Sequence, residues 1–142
     1  MKKGNLFINF GAVIFVLGVF VFGDNIINNI DTADNASGKY TIEITDKNID
    51  KKISKGVVVI DFWATWCRPC LVQGPIIDEV AKEFVGKAVI GKMDVDKNKI
   101  SAGNYHIRSI PTIIIFKDGV VQERLRGLQN KQTLVKTINR YL

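Results

Sequence analysis

The chain has only two cysteines and one histidine in 142 residues. A structural zinc site takes about four Cys or His ligands, and His106 lies far from Cys67 and Cys70. That argues against a complete metal site within one chain. Covalent haem attachment needs a histidine directly after the second cysteine, and position 71 is Leu71. No metal or organic cofactor is expected. What remains for the pair is redox chemistry or an inert structural bridge. A structural bridge gains stability by closing a long loop, whereas Cys67 and Cys70 enclose two residues, which favours redox use. Acidic residues are also in deficit, 14 against 20 basic, for a net charge of +6. The lysines are scattered, apart from Lys47, Lys51, Lys52 and Lys55 on a first helix. Such a cluster either attracts an anionic membrane surface or acidic partner, or is a solvated helix face; the solvated face is favoured. No nucleic-acid motif accompanies the charge, so no nucleic-acid partner is expected.

The pair sits in Trp66-Cys67-Arg68-Pro69-Cys70, directly after the apolar run Val57 to Ala64, whose one acid is Asp61. Two cysteines in the first turn of a helix meet unpaired backbone N–H groups and the positive end of the helix dipole, which stabilise a thiolate. Asp61 interrupts a run that is apolar on both faces, like a buried parallel strand. Burial raises the pKa of a carboxyl, and such a group beside a dithiol can act as a general base toward the second thiol. An acid at a strand end facing water, or capping the next helix, fits the spacing equally well. Pro111 precedes the apolar run Ile113 to Phe116, where proline suits the first residue of a strand. Pro75 either starts a helix or kinks one. The apolar spacing of Leu71, Val72, Ile76, Ile77, Val80, Ala81 and Phe84 runs through it and favours the kink.

Taken in order, Val59-Ile60-Asp61-Phe62-Trp63-Ala64, Trp66-Cys67-Arg68-Pro69-Cys70, Pro75, Ile110-Pro111-Thr112, Phe116-Lys117-Asp118-Gly119 and Gly127 resemble the thioredoxin family over about residues 40–142. The resemblance implies that Asp61 assists deprotonation of Cys70. It also implies a cis Ile110–Pro111 bond against the dithiol, with the free backbone groups of Ile110 pairing with an extended substrate. Trp63, Trp66, Ile110, Pro111 and Gly127 would shape the docking surface, with Leu128 on the same face, since glycine lets another backbone approach closely. Two residues depart from the family pattern. Arg68-Pro69 stands where Gly-Pro is commonest, and a guanidinium beside Cys67 favours the thiolate. Arg68 and Pro69 are therefore read as tuning the potential, toward a somewhat more oxidising couple. His106 stands where family members often have a helix-ending glycine. Histidine tolerates the left-handed conformation only moderately, which points to a different turn there and to a surface or helix-end histidine, not a catalytic one.

Residues 6–22 carry no charge, only Asn9 is strongly polar among them, and Lys2 and Lys3 precede them. A spanning helix needs about 17–25 apolar residues, and a secretory signal about 7–15 followed by a small-residue cleavage site. Val21-Phe22-Gly23 is a weak cleavage site. Residues 1–23 are read as a retained signal-anchor, with a cleaved signal peptide as the alternative. The segment is apolar on all sides, which disfavours an amphipathic core helix, and no cysteine follows closely enough for a lipoprotein anchor. Positive residues stay on the cytoplasmic side, so everything after Asp24 is expected outside the cytoplasm. Residues 24–39 have linker composition, and 40–142 suffice for one core.

Periodicity predicts strands at Tyr40–Ile44, Val57–Ala64, Ala88–Asp94, Ile113–Phe116 and Val120–Leu125. It predicts helices at Asp46–Ser54, Cys67–Phe84, Asn98–Tyr105 and Asn130–Tyr141. This is an α/β chain of the thioredoxin arrangement: a central mixed sheet flanked by helices, with a final hairpin adding antiparallel edge strands and an N-terminal apolar helix in front. The expected activity is that of a thiol:disulfide oxidoreductase reducing disulfides in partner proteins, fed by a transmembrane thiol reductant. The alternatives are an extracytoplasmic thiol oxidase or isomerase, and a non-catalytic binding module.

Overall fold

The computed structural model of the chain describes residues 38–142. The apolar segment at 1–23 and nearly all of the linker lie outside the described residues. The elements are β1 (Ile42–Glu43), α1 (Ile49–Ile53), β2 (Val57–Trp63), α2 (Arg68–Glu83), β3 (Val89–Asp94), α3 (Lys99–Asn104), β4 (Thr112–Lys117), β5 (Val120–Arg126) and α4 (Lys131–Asn139). One sheet has the order β1-β3-β2-β4-β5. β3 runs parallel to β1 and β2, and β4 runs antiparallel to β2 and β5. The expected mixed sheet is present with one correction: β4 lies inside the sheet, so β5 alone is an antiparallel edge.

The side-chain alternation of β2 explains why its sequence is apolar throughout. Val57 and Val59 point to one face, packing with Ile77 and Val80 of α2, with Phe84 just after it, and with Leu134 and Ile138 of α4. Val58, Ile60 and Phe62 point to the other, against Ile44, Ile49, Ile53, Met93 and Phe116. A strand covered on both faces has no solvated side to make polar. Asp61 has the same parity as Val57 and Val59, which sets it under α2.

Local chemistry fixes several boundaries. The first helix starts at Ile49 instead of Asp46. The side chain of Asn48 closes a turn before it, accepting the Thr45 N–H at 2.9 Å. Asn130 caps α4, its side chain accepting the Thr133 N–H at 2.8 Å. α2 runs unbroken through Pro75, which excludes a helix start there. The Asp118-Gly119 turn has positive φ at both residues, 49° and 82°, as a tight hairpin of this hand requires. His106 corrects the expectation of a different turn: it adopts the left-handed conformation itself, with φ 51°, and ends α3 with the Ile107 N–H donating to the Ala102 carbonyl.

Gly91 is buried where β3 passes beneath Ile44. A Cβ there would collide with the Ile44 side chain and stand 3.3 Å from the Ile42 carbonyl oxygen. Gly91→Ala is expected to destabilise the fold by about 1–3 kcal/mol through overpacking, read as a lower urea midpoint. An unchanged midpoint would show that β1 yields freely.

Candidate active site

Cys67 is the N-cap of α2, and its Sγ accepts the Cys70 N–H at 3.2 Å. The two sulfurs form a disulfide, with the Cα atoms 5.2 Å apart. Both cysteines are buried, at 4% and 3% exposure, so exposure hardly distinguishes them in this oxidised state. What separates them is their surroundings. Cys70 lines a cavity of about 230 Å3 whose other walls include Asp61, Trp63, Gly74, Asp78 and Lys92. Cys67 does not line it.

Asp61 is 1% exposed, and among the described residues its Oδ1 finds no hydrogen-bond partner. It sits in register with Lys92 on β3 and Ile113 on β4. Burial pushes its pKa up to about 7, opposed by the Lys92 charge and reinforced by that of Asp78. The Lys92 ammonium is itself engaged by Asp78 at 2.6 Å. Its field at Asp61 is therefore partly compensated, and desolvation wins.

The Ile110–Pro111 peptide bond is cis. Ile110, Trp63 and Val95 pack against Ala64, Cys67 and Cys70, so the proline turn and the dithiol form one cluster. Gly127, with φ 78°, donates its N–H to the Pro111 carbonyl at 2.8 Å. Trp66 is 68% exposed, and its indole N–H donates to Asp96 at 2.8 Å. Arg68 and Pro69 are exposed at the first two positions of α2. Among the described residues Arg68 pairs with no carboxylate. The predicted site residues therefore converge on one end of the sheet. Among the described residues no group of three or more His, Cys, Asp or Glu side chains is placed to hold a metal.

The family model described as thioredoxin matches residues 40–140. The chain belongs to the thioredoxin family. The thioredoxin of Staphylococcus aureus is 43% identical over 101 residues, which is 71% of this chain and 97% of that protein. A mutant thioredoxin from Halobacterium salinarum NRC-1 superimposes with a TM-score of 0.68 at 33% identity, covering 75% of this chain and 94% of that one. A thioredoxin-family dithiol at a helix start is the redox centre of a thiol:disulfide oxidoreductase, which is the activity of this chain.

Two parts of this thioredoxin site were not foreseen from sequence. One is the Lys92–Asp78 pair. The other is Gln73, fully buried on α2, whose Oε1 accepts the Gln129 N–H at 2.7 Å while its Nε2 donates to the Gln129 carbonyl at 3.2 Å. That amide ties the loop carrying Gly127 and Leu128 to the dithiol helix. Its signal was a polar residue in the inward stripe Cys70, Gln73, Ile77, Val80.

The raised pKa of Asp61 makes a stability prediction. The folded state keeps the Asp61 proton up to about pH 7, whereas the unfolded chain releases it near 3.8. Between those values the native state binds the extra proton, so stability falls as pH rises and levels off above 7. Asp61→Asn should abolish this decline and be more stable at pH 8, by on the order of 3–4 kcal/mol. Urea unfolding of the two oxidised proteins from pH 4 to 8 checks it; parallel pH dependences would contradict it.

Proposed function

We propose that this thioredoxin-family protein reduces disulfides in partner proteins outside the cytoplasm, held at the membrane by its N-terminal segment. The observation that carries the reductase direction is the cavity shared by Asp61 and Cys70. A carboxyl whose pKa lies near 7 is matched to accept a thiol proton at neutral pH. In the proposed cycle the Cys67 thiolate, favoured by the start of α2, attacks one sulfur of a substrate disulfide. The substrate's other sulfur leaves as a thiolate and takes a proton. Cys70 passes its proton to Asp61 and attacks Cys67 Sγ. The second substrate sulfur then leaves, and the Cys67–Cys70 disulfide closes. Two electrons pass from enzyme to substrate.

Trp63, Trp66, Ile110, Pro111 and Gly127 serve as the docking surface for an extended substrate segment. The location rests on Lys2 and Lys3 ahead of the uncharged stretch 6–22. An enzyme so placed draws its electrons from a transmembrane thiol reductant. A cleaved leader would give the same domain as a secreted or periplasmic protein. Arg68 favours a second reading, as thiol oxidase or isomerase. Its charge stands beside Cys67, without a carboxylate partner among the described residues, and stabilises the reduced form.

Two measurements test the proposal. Cys70→Ser is expected to accumulate a mixed disulfide through Cys67 with substrate protein, and Cys67→Ser/Cys70→Ser to lose activity. Full function in the double variant would indicate a binding module instead. Titration of the Cys67/Cys70 couple against a thiol redox buffer is expected to give a potential near the thioredoxin value of about −270 mV. A value toward about −120 mV would favour the oxidase. Arg68→Gly should lower the potential, and an unchanged or higher value would remove Arg68 from the account.

A further inference from the structure

Three guanidinium groups gather beside the proposed docking surface. Arg108, Arg124 and Arg126, together with His106, line a cavity of about 380 Å3. Among the described residues none of the three arginines pairs with a carboxylate. Arg124 is anchored by an Nη1 hydrogen bond to the Tyr105 carbonyl at 2.8 Å, while Arg108 and Arg126 are exposed. Like charges around one cavity repel one another and raise the local affinity for an anion.

The position of the cluster indicates which anion. Arg126 ends β5 opposite Thr112 and immediately precedes Gly127. Arg108 also lines a second cavity, of about 360 Å3, whose walls include Trp66, Ile107 and Ile110. It thus belongs both to the groove beside the dithiol and to the arginine cavity. An extended segment seated at Ile110 advances about 3.3 Å per residue, so its side chains reach the arginines within a few residues of the reacting cysteine.

Resting on the reductase reading, we propose that His106, Arg108, Arg124 and Arg126 form a specificity site for substrate proteins, binding Asp or Glu side chains that flank the disulfide cysteine on one side. The groove accepts the backbone and the cysteine, and the cluster selects acidic flanks.

The test uses the reduced full chain and a set of disulfide-linked peptides. One carries three aspartates before the cysteine, one carries three after it, and one has asparagines in both places. At low salt one acidic peptide is expected to be reduced with a kcat/KM about three- to tenfold above the asparagine peptide. That advantage should shrink in about 0.5 M salt and fall to near one in Arg108→Gln/Arg126→Gln. The comparison is internal to each protein, so loss of folded variant lowers all rates and leaves the ratio. Equal rates for all peptides in the wild type, or a preference that survives the double substitution, would overturn the specificity site. If no peptide is reduced, the reductase reading itself fails and the specificity site falls with it.

Discussion

A carboxyl group at position 61 occupies a face of β2 that the alternation otherwise gives to Val57, Val59 and Trp63, beneath α2. Charged and unpaired there, it would carry a desolvation cost far larger than the net stability of a domain of this size. The molecule answers by letting the group keep its proton to near neutral pH. Lys92 is close enough to oppose this. Asp78, however, engages the same ammonium, so the cation does not hold Asp61 permanently ionised. The result is a carboxyl that exchanges its proton near neutral pH, on the wall of the cavity that Cys70 also lines. The stability given up at Asp61 and the chemistry available to Cys70 come from one physical fact.

The remainder of the site is arranged by the ends of elements. Cys67 caps α2 with its own sulfur, which puts the pair where the helix leaves backbone donors free. Across from it, Ile110–Pro111 leads into β4, and Gly127 leaves β5 with its N–H on the Pro111 carbonyl. Gln73 completes the frame by gripping both backbone groups of Gln129 from inside α2. The loops proposed to face a substrate are therefore tied to the helix that carries the dithiol, and both rest on the same sheet. Rigid support of this kind keeps reacting groups aligned without help from the substrate.

Much of this was legible in the residues. The apolar run Val57 to Phe62 pointed to a strand covered on both faces, because periodicity is a local property; Asp61 within it fitted a buried acid or a strand-end one equally well, and the resemblance favoured the buried one. Asp118-Gly119 specified its hairpin because a tight turn needs positive φ. What could not be read depends on contacts between distant segments. Lys92 and Asp78 are unremarkable as a strand lysine and a helix aspartate until α2 lies across β3. His106 was read as marking a different turn, from its moderate tolerance of the left-handed conformation, whereas the hydrogen bonds closing α3 hold it at φ 51°. The arginine cavity joins residues on either side of β4, and their charges meet only because β5 folds back on it.

The most direct test of the account is the titration of Asp61 itself. Carboxyl carbon chemical shifts, followed by NMR in the oxidised protein and assigned with Asp61→Asn, would give its midpoint without interference from the thiols. A midpoint near pH 7 is expected from the buried carboxyl. A midpoint near 4, the ordinary aspartate range, would mean that Lys92 keeps Asp61 ionised throughout, and that the proton of Cys70 leaves by another route.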